Sequence, residues 1–420
     1  MTSATNSVIV SLIAIRGAGR LAGTISVTAV SGVATFTDLS IDRPGRYLLE
    51  AEAPGMQTGQ SATFAIQLTF VRITAGDSHT CGVTMTGAAY CWGFNGSGRL
   101  GDDTAYVWRS PGPVAGGISF TSVSAGLDHS CGVTSGGAAY CWGANVYGQL
   151  GDGTNAAHTR PTRVSGGQIF ADVSAGFEHT CGLTSGGAVY CWGRNLYGEL
   201  GDSSTTDRPA PTPVSGALTF SAVSAGVDHT CGVTSGGAAY CWGRNRFGRL
   251  GDSTDTDRLS PTRVAGGLSF TAVTSGGFHT CGLTSNGAAY CWGSTGWGQL
   301  GDGHYGGATD QWAPAPVSGG LSFLAVTAAA FHSCGLATDH TVYCWGSNGY
   351  GQIGDGSGFD RLVPFPVSGA LSFAALDGGW AHTCARQTDG AVYCWGFSGN
   401  GKVGSGTESV TTPVPVQVVQ

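Results

Sequence analysis

From residue 67 onward, apolar and polar positions follow one pattern of about 50 residues, repeated seven times, and none of it keeps a helical period. In one copy, Phe120 to Ser124 predicts a strand that Ala125-Gly126 breaks. His129 to Thr134 predicts a second strand, Ser135-Gly136-Gly137 a turn, and Ala138 to Trp142 a third strand. A Gly-rich loop, Asn145 to Gly153, leads to a short fourth strand, Arg160 to Val164, which Pro161 places at a sheet edge. The copies are marked by His79, His129, His179, His229, His279, His332 and His382, in steps of 50, 50, 50, 50, 53 and 50. The three extra residues fall between Asp302 and Val317, in a loop where insertion is cheap. Four short strands per repeat describe a propeller blade, and seven blades close a ring. The expectation is an all-β chain with a seven-bladed β-propeller over 67–420. Such repeat architectures usually bind rather than catalyse.

Residues 1–66 lack the repeat. Strand-like runs occur at Ser7–Ile15, Gly23–Val30, Gly32–Thr37, Arg46–Ala53 and Ala62–Ile66, with turn signals at Arg43-Pro44-Gly45 and Ala53-Pro54-Gly55. Alternation puts Val33, Thr35 and Thr37 on one face and Ala34, Phe36 and Asp38 on the other. The stretch Gly32 to Asp42, with Tyr47-Leu48-Leu49-Glu50-Ala51, resembles part of a bacterial immunoglobulin-like domain. That resemblance implies a partial β-sandwich, its first strands missing, and a chain that is a fragment of a longer protein. Val8 to Ile15 is apolar but short, has no basic stretch before it and is followed by Arg16 and Arg20, so a strand is expected there rather than a signal peptide.

Composition narrows the function. Gly is 73 of 420 residues and sits at fixed places in each repeat, which reads as turns rather than a flexible tract. Net charge is −7 and the only lysine is Lys402, which argues against binding nucleic acid through its phosphates. No segment reaches the roughly 18 apolar residues of a membrane span.

The pattern Ala125-Gly126-Leu127-Asp128-His129-Ser130, then Tyr140-Cys141-Trp142-Gly143, then Tyr147-Gly148-Gln149-Leu150-Gly151-Asp152-Gly153 and Pro161 to Val164 resembles the regulator of chromosome condensation repeat. The resemblance covers all seven copies and implies a seven-bladed β-propeller. Its members include guanine-nucleotide exchange factors, interaction modules of larger proteins and a secreted bacterial inhibitor of β-lactamases.

Fourteen cysteines occur as seven Cys-x9-Cys pairs: Cys81 and Cys91, Cys131 and Cys141, Cys181 and Cys191, Cys231 and Cys241, Cys281 and Cys291, Cys334 and Cys344, and Cys384 and Cys394. If Ser135-Gly136-Gly137 is a three-residue hairpin loop, Thr134 opposes Ala138 and Cys131 opposes Cys141 on the same face. A two-residue loop would put the pair on opposite faces. Seven such copies point to seven intra-blade disulfides and an oxidising compartment. The competing reading, a zinc site of His129, Cys131 and Cys141, would require seven identical open sites.

The repeat histidines are expected to bond backbone groups at the Ala-Gly break. Trp92, Trp142, Trp192, Trp242, Trp292, Trp345 and Trp395 are expected to pack between blades, each indole N–H on a backbone partner. Asp152 and Asp202 are expected to cap turns rather than bind calcium, since the spacing of a calcium loop is missing. No catalytic motif is evident, and no metal or cofactor is expected.

Binding positions in a repeat protein are those that vary. After each Trp-Gly, the loops carry Tyr147, Tyr197, Phe247, Trp297 and Tyr350, with Arg194, Arg244 and Arg246 as neighbours. These rings either form an arc of interface anchors or each pack on the adjacent blade. Trp108 and Trp312, outside the repeated set, lie in a second variable stretch before the Pro-bearing strand. The expected function is a non-enzymatic, extracellular binding module of a secreted or surface-attached bacterial protein, a monomeric propeller within a larger chain, with a protein or glycan partner. The alternatives are inhibition of a secreted enzyme and nucleotide exchange on a small GTPase. The terminal Val414–Val419 strand is a candidate to join the first blade, against which stand seven self-contained copies.

Overall fold

A computed structural model describes residues 6–16, 20–41, 45–306, 310–407 and 409–419. Asp42, Arg43 and Pro44 of the expected signature and turn, and 307–309 of the second variable stretch, lie outside the described residues. The chain divides into two compact units, Met1–Thr69 with Gln420, and Phe70–Val419.

In the first unit, Ser7–Arg16 pairs with Ser26–Thr28 on one side and Gly45–Glu52 on the other, and Gly59–Gln60 and Phe64–Ile66 extend the antiparallel sheet. Buried Tyr47 and Val10 form its core, with Phe64 against Tyr47 at 6.4 Å. Two expected strands are corrected. Gly23–Val30 shortens to Ser26–Thr28, and Gly32–Thr37 is no strand. Ser31 and Gly32 take positive φ (51° and 80°), turning the chain so that Val33 bridges only Val30. The following residues have no ladder partner. Asp38 holds them instead, accepting bonds from the Thr24 N–H at 3.0 Å and hydroxyl at 2.7 Å.

The second unit is a seven-bladed β-propeller of seven four-stranded antiparallel sheets. Blade 1 comprises Phe70–Ala75, His79–Thr84, Ala89–Gly93 and Trp108–Pro113. Blade 2 comprises Phe120–Ala125, His129–Thr134, Ala139–Gly143 and His158–Arg163. Blades 3 to 6 follow in the same way, and blade 7 comprises Ala375–Gly378, His382–Arg386, Val392–Phe397 and Thr411–Gln417. Each blade is built from one repeat, with the Pro-bearing strand outermost. The terminal strand completes blade 7, pairing Val416 with Cys394 and Gln417 with Tyr393, so it does not join the first blade.

Hairpin geometry fixes the cysteines. The Gly137 N–H bonds Thr134 O at 2.9 Å and the Thr134 N–H bonds Ala138 O at 3.0 Å, with Gly137 at φ 77°. That three-residue loop places Cys131 directly opposite Cys141, with Cα atoms 4.0 Å apart. The other six blades repeat the register and the bond. Cys81 is bridged to Cys91, Cys181 to Cys191 and Cys231 to Cys241. Cys281 is bridged to Cys291, Cys334 to Cys344 and Cys384 to Cys394. No described cysteine is free, so none is left to hold zinc with its histidine. Each bridge is wholly buried, in the seam to the following blade: Cys131 and Cys141 pack with Phe170, Val173 and Trp192 of blade 3, and Cys181 and Cys191 with Phe220 and Trp242 of blade 4. Gly132 leaves room for the Phe120 ring, whose Cδ1 would lie 2.6 Å from a Cβ placed there.

Polar bonds run along the same seams. His129 Nε2 bonds the Thr180 hydroxyl of the next blade at 2.8 Å, and all seven histidines repeat this, His382 reaching Thr80 of blade 1 at 2.9 Å. The expected backbone partners are therefore replaced by hydroxyls. Thr180 donates its own proton to Gln149 O at 2.9 Å, and Trp192 Nε1–H reaches the same carbonyl at 2.9 Å. Around the channel, a second belt joins the innermost strands. The Ala175 N–H bonds Ser124 Oγ at 2.9 Å, Ala225 N–H bonds Ser174 at 3.0 Å, and Ala75 N–H of blade 1 bonds the half-buried Asp377 carboxylate of blade 7 at 2.9 Å.

Candidate binding face

Antiparallel strands bring two loops to one end of every blade: the turn between Ala125 and His129, and the loop after Gly143. A backbone bond ties them in each blade, as Ala144 N–H to Asp128 O at 2.8 Å and Arg244 N–H to Asp228 O at 2.8 Å. This face carries every variable loop residue after Trp-Gly.

The longer loop is rigid. Asn145 accepts the Leu150 N–H at 2.9 Å and donates to Asp152 at 3.2 Å and Thr154 O at 3.0 Å. Asp152 caps the turn by accepting the Thr154 N–H at 2.9 Å and pairs with His158 at 2.9 Å. Burial alone would raise its carboxyl, but the bonds from Thr154, His158 and Asn145 take it below its ordinary value. Arg208, Arg258 and Arg361 replace His158 in other blades. In blade 1 the partner is Trp108, whose Nε1–H donates to Asp102 at 2.6 Å.

The arc of rings is covered piece by piece by the next blade. The Arg194 guanidinium lies over Tyr147 at 5.5 Å and pairs with Glu178 at 2.6 Å. Arg244 lies over Tyr197 at 4.5 Å and pairs with Asp228 at 3.0 Å. Phe247 lies under Arg246 at 4.8 Å and meets Phe278 in an edge-to-face contact at 6.3 Å. Trp297 meets Phe331 at 4.8 Å, and Tyr350 meets Phe397 at 5.1 Å. Packing on the adjacent blade is thus real for all five, yet Trp297 and Tyr350 remain 38% and 50% exposed.

The face has two halves. In blades 3 and 4 the turn before the histidine carries an acid, Glu178 or Asp228, matched by Arg194 or Arg244. In blades 5 and 6 the same pairs of positions hold Phe278 with Ser294, and Phe331 with Ser347. Rings there run on continuously: Phe247, Phe278, then Phe331 at 5.2 Å, then Trp380 at 5.2 Å. Trp380 of blade 7 meets Phe177 of blade 3 at 5.8 Å, across the mouth of the central channel that both line.

A family model, the RCC1-like domain, matches residues 50–280, more than half of the chain. The chain belongs to the RCC1-like family. Models of the regulator of chromosome condensation (RCC1) repeat also match 270–299, 324–352 and 373–402, and 339–386 and 389–420. Among curated proteins, none matches the sequence. Among solved structures, human WBSCR16 is 21% identical with a TM-score of 0.70, covering 80% of this chain and 92% of its own. Yeast RCC1 (Prp20), solved with Kap60 bound, is 20% identical with a TM-score of 0.71, covering 84% and 85%. The CRINKLY WD40 ectodomain of the Arabidopsis thaliana receptor kinase ACR4 is 21% identical with a TM-score of 0.52, covering 79% and 98%. At these identities the likeness concerns the fold.

Within this RCC1-like propeller, Tyr197, Arg244, Arg246, Phe247 and Trp312 come together, with Asp255, Asp257 and Asp310, around a cleft of about 400 Å³. Tyr147 with Arg194, Trp297, Tyr350 and Trp108 lie outside it. Phe177, Phe278, Phe331 and Trp380 were missed by the sequence reading. The signal was present: they vary between the Gly (Ala329 in blade 6) and the His of each repeat. The residue after Tyr147-Gly148 is a further missed position. As Gln149 or Glu199 it caps its own loop, accepting the N–H of Tyr147 or Tyr197 at 3.0 and 2.8 Å. As Arg99 or Lys402 it reaches another blade, Arg99 to Leu127 O at 3.0 Å and Lys402 to Asp77 O at 2.8 Å. Burial raises the Glu199 carboxyl to about 7 and lowers the Lys402 ammonium to about 8.

Proposed function

We propose that this chain is a non-enzymatic, extracellular binding module of a secreted or surface-attached bacterial protein, and that its variable loop face engages a protein or a glycan. Residues 1–66 are read as a partial immunoglobulin-like domain that carries the propeller. The observation behind the binding reading is the continuous run of rings from Phe247 to Trp380, on the face that carries the variable loops after Trp-Gly. Rings gathered around a rigid frame are typical interface anchors, because they lose little conformational freedom on binding. Seven buried disulfides favour an oxidising compartment. The same architecture serves as an ectodomain in a plant receptor kinase, and yeast RCC1 has a protein, Kap60, bound to it.

The test is capture of extracellular protein and glycan from the source culture on immobilised chain. Trp297→Ala combined with Tyr350→Ala, and separately Trp380→Ala, should weaken capture of the retained partner at least about tenfold. Capture unchanged by both variants would remove this face as the binding surface.

A further inference from the structure

The cleft around Trp312 has the makeup of a ligand site in its own right. Trp312 stands where the other blades hold Arg109, Thr159, Pro209, Leu259, Leu362 and Pro413. Its indole lies over Gly248, where a Cβ would come within 2.5 Å of the ring, and it is still 46% exposed. Phe247, on the facing loop, is held at φ 70° and ψ 8°. A bulky side chain rarely adopts this left-handed conformation, and residues kept there cluster at ligand sites. The conformation sets its ring beneath Arg246 and against Phe278.

Planar polar groups surround these rings. Asp257 accepts the Asn245 N–H at 2.7 Å and Asp310 the Thr295 N–H at 2.9 Å, each through Oδ1, which fixes both carboxylates in orientation. Asp255 is exposed beside them, and Arg244 and Arg246 supply guanidinium donors. Three carboxylates stand against two guanidinium groups, and Arg244 is already paired with Asp228, which leaves the cleft mildly acidic. An anionic ligand would meet the carboxylates and a cationic one the arginines. An apolar peptide would desolvate both without replacing their bonds. A neutral polyol suits them: each hydroxyl both donates and accepts, and planar Asp and Arg side chains engage vicinal hydroxyls in pairs. The C–H face of a sugar ring suits an exposed indole. The volume falls within the usual range for ligand pockets.

We propose that this cleft binds a neutral saccharide. The proposal rests on the reading of the loop face as a binding surface and gives one part of it a ligand class. The full chain, its Trp312→Ala and Asp255→Asn variants, and Met85→Ala, an exposed residue of the blade 1 hairpin, are applied to a printed array of neutral, sialylated and sulfated glycans. The wild type and Met85→Ala should bind a subset of neutral glycans. Trp312→Ala should lose at least about tenfold, and Asp255→Asn, a change at an exposed side chain that leaves the fold intact, several-fold. Binding to no neutral glycan, binding only to the anionic ones, or neutral binding that neither variant weakens would overturn the assignment. If the array stays empty while aromatic-face variants still abolish capture of a protein, the saccharide assignment falls alone. If that capture is also insensitive, the binding-face reading falls with it.

Discussion

One hydroxyl proton sets the state of each repeat histidine. Thr180 gives its only proton to Gln149 O, so it accepts from His129 Nε2–H, and the ring is held as the neutral tautomer protonated at Nε2. Burial favours the same state, lowering His129, His279 and His332 to about 3 and His179 to about 4, and His79, His229 and His382 well below their ordinary value. An unfolded histidine titrates near 6.5, so below that pH the unfolded chain binds more protons than the folded one. Stability is full above pH 6.5 and is lost as pH falls toward the folded values, by up to about 1.4 kcal/mol per pH unit per ring. Glu199, raised to about 7, works in the opposite direction, but it is one group against seven. Denaturant melts should therefore show a steep fall between pH 6.5 and 5, above the range where ordinary carboxylates titrate. A flat profile there would mean that the seam histidines accept protons without opening. The histidine spacing was legible in the sequence, but its partner was not, because the hydroxyl belongs to the following repeat and one repeat read alone contains no seam.

At the scale of the element, the hairpin was the most legible part. Loop length fixes register, register fixes which residues oppose each other, and so Cys131 faces Cys141. The bridge closes a short loop and also fills a seam, so its loss is felt in two blades. Replacing Cys131 and Cys141 together with alanine should cost about 2–3 kcal/mol and speed amide exchange in blades 2 and 3, leaving blade 5 protected. Uniform exchange across the ring would show that the bridges do not stabilise blades individually. Gly32–Thr37 shows the converse. Its alternation was sound, but alternation predicts only a face, and the Ser31-Gly32 turn leaves that stretch no neighbour to pair with.

For the whole molecule, seven equivalent repeats make a frame on which difference has meaning. The arc of Tyr147, Tyr197, Phe247, Trp297 and Tyr350 was visible as one variable column of the repeat. Its division into an ion-paired half and an aromatic half was not, because that depends on a second column, between the Gly and the His (Ala329 and His332 in blade 6), and on which blades face each other across the channel. Phe177 and Trp380 are remote in sequence and meet only when the ring is assembled. The cleft holding Trp312 likewise draws on three blades. A disulfide-stapled propeller working in an oxidising compartment is tested most directly by intact mass. Protein taken from its native compartment, treated with a thiol alkylating reagent and measured denatured without reduction should carry no alkyl group and weigh 14 hydrogens less than its reduced form, from the 14 cysteines. Fourteen alkyl groups would mean free thiols and would contradict both the staples and the extracellular reading built on them.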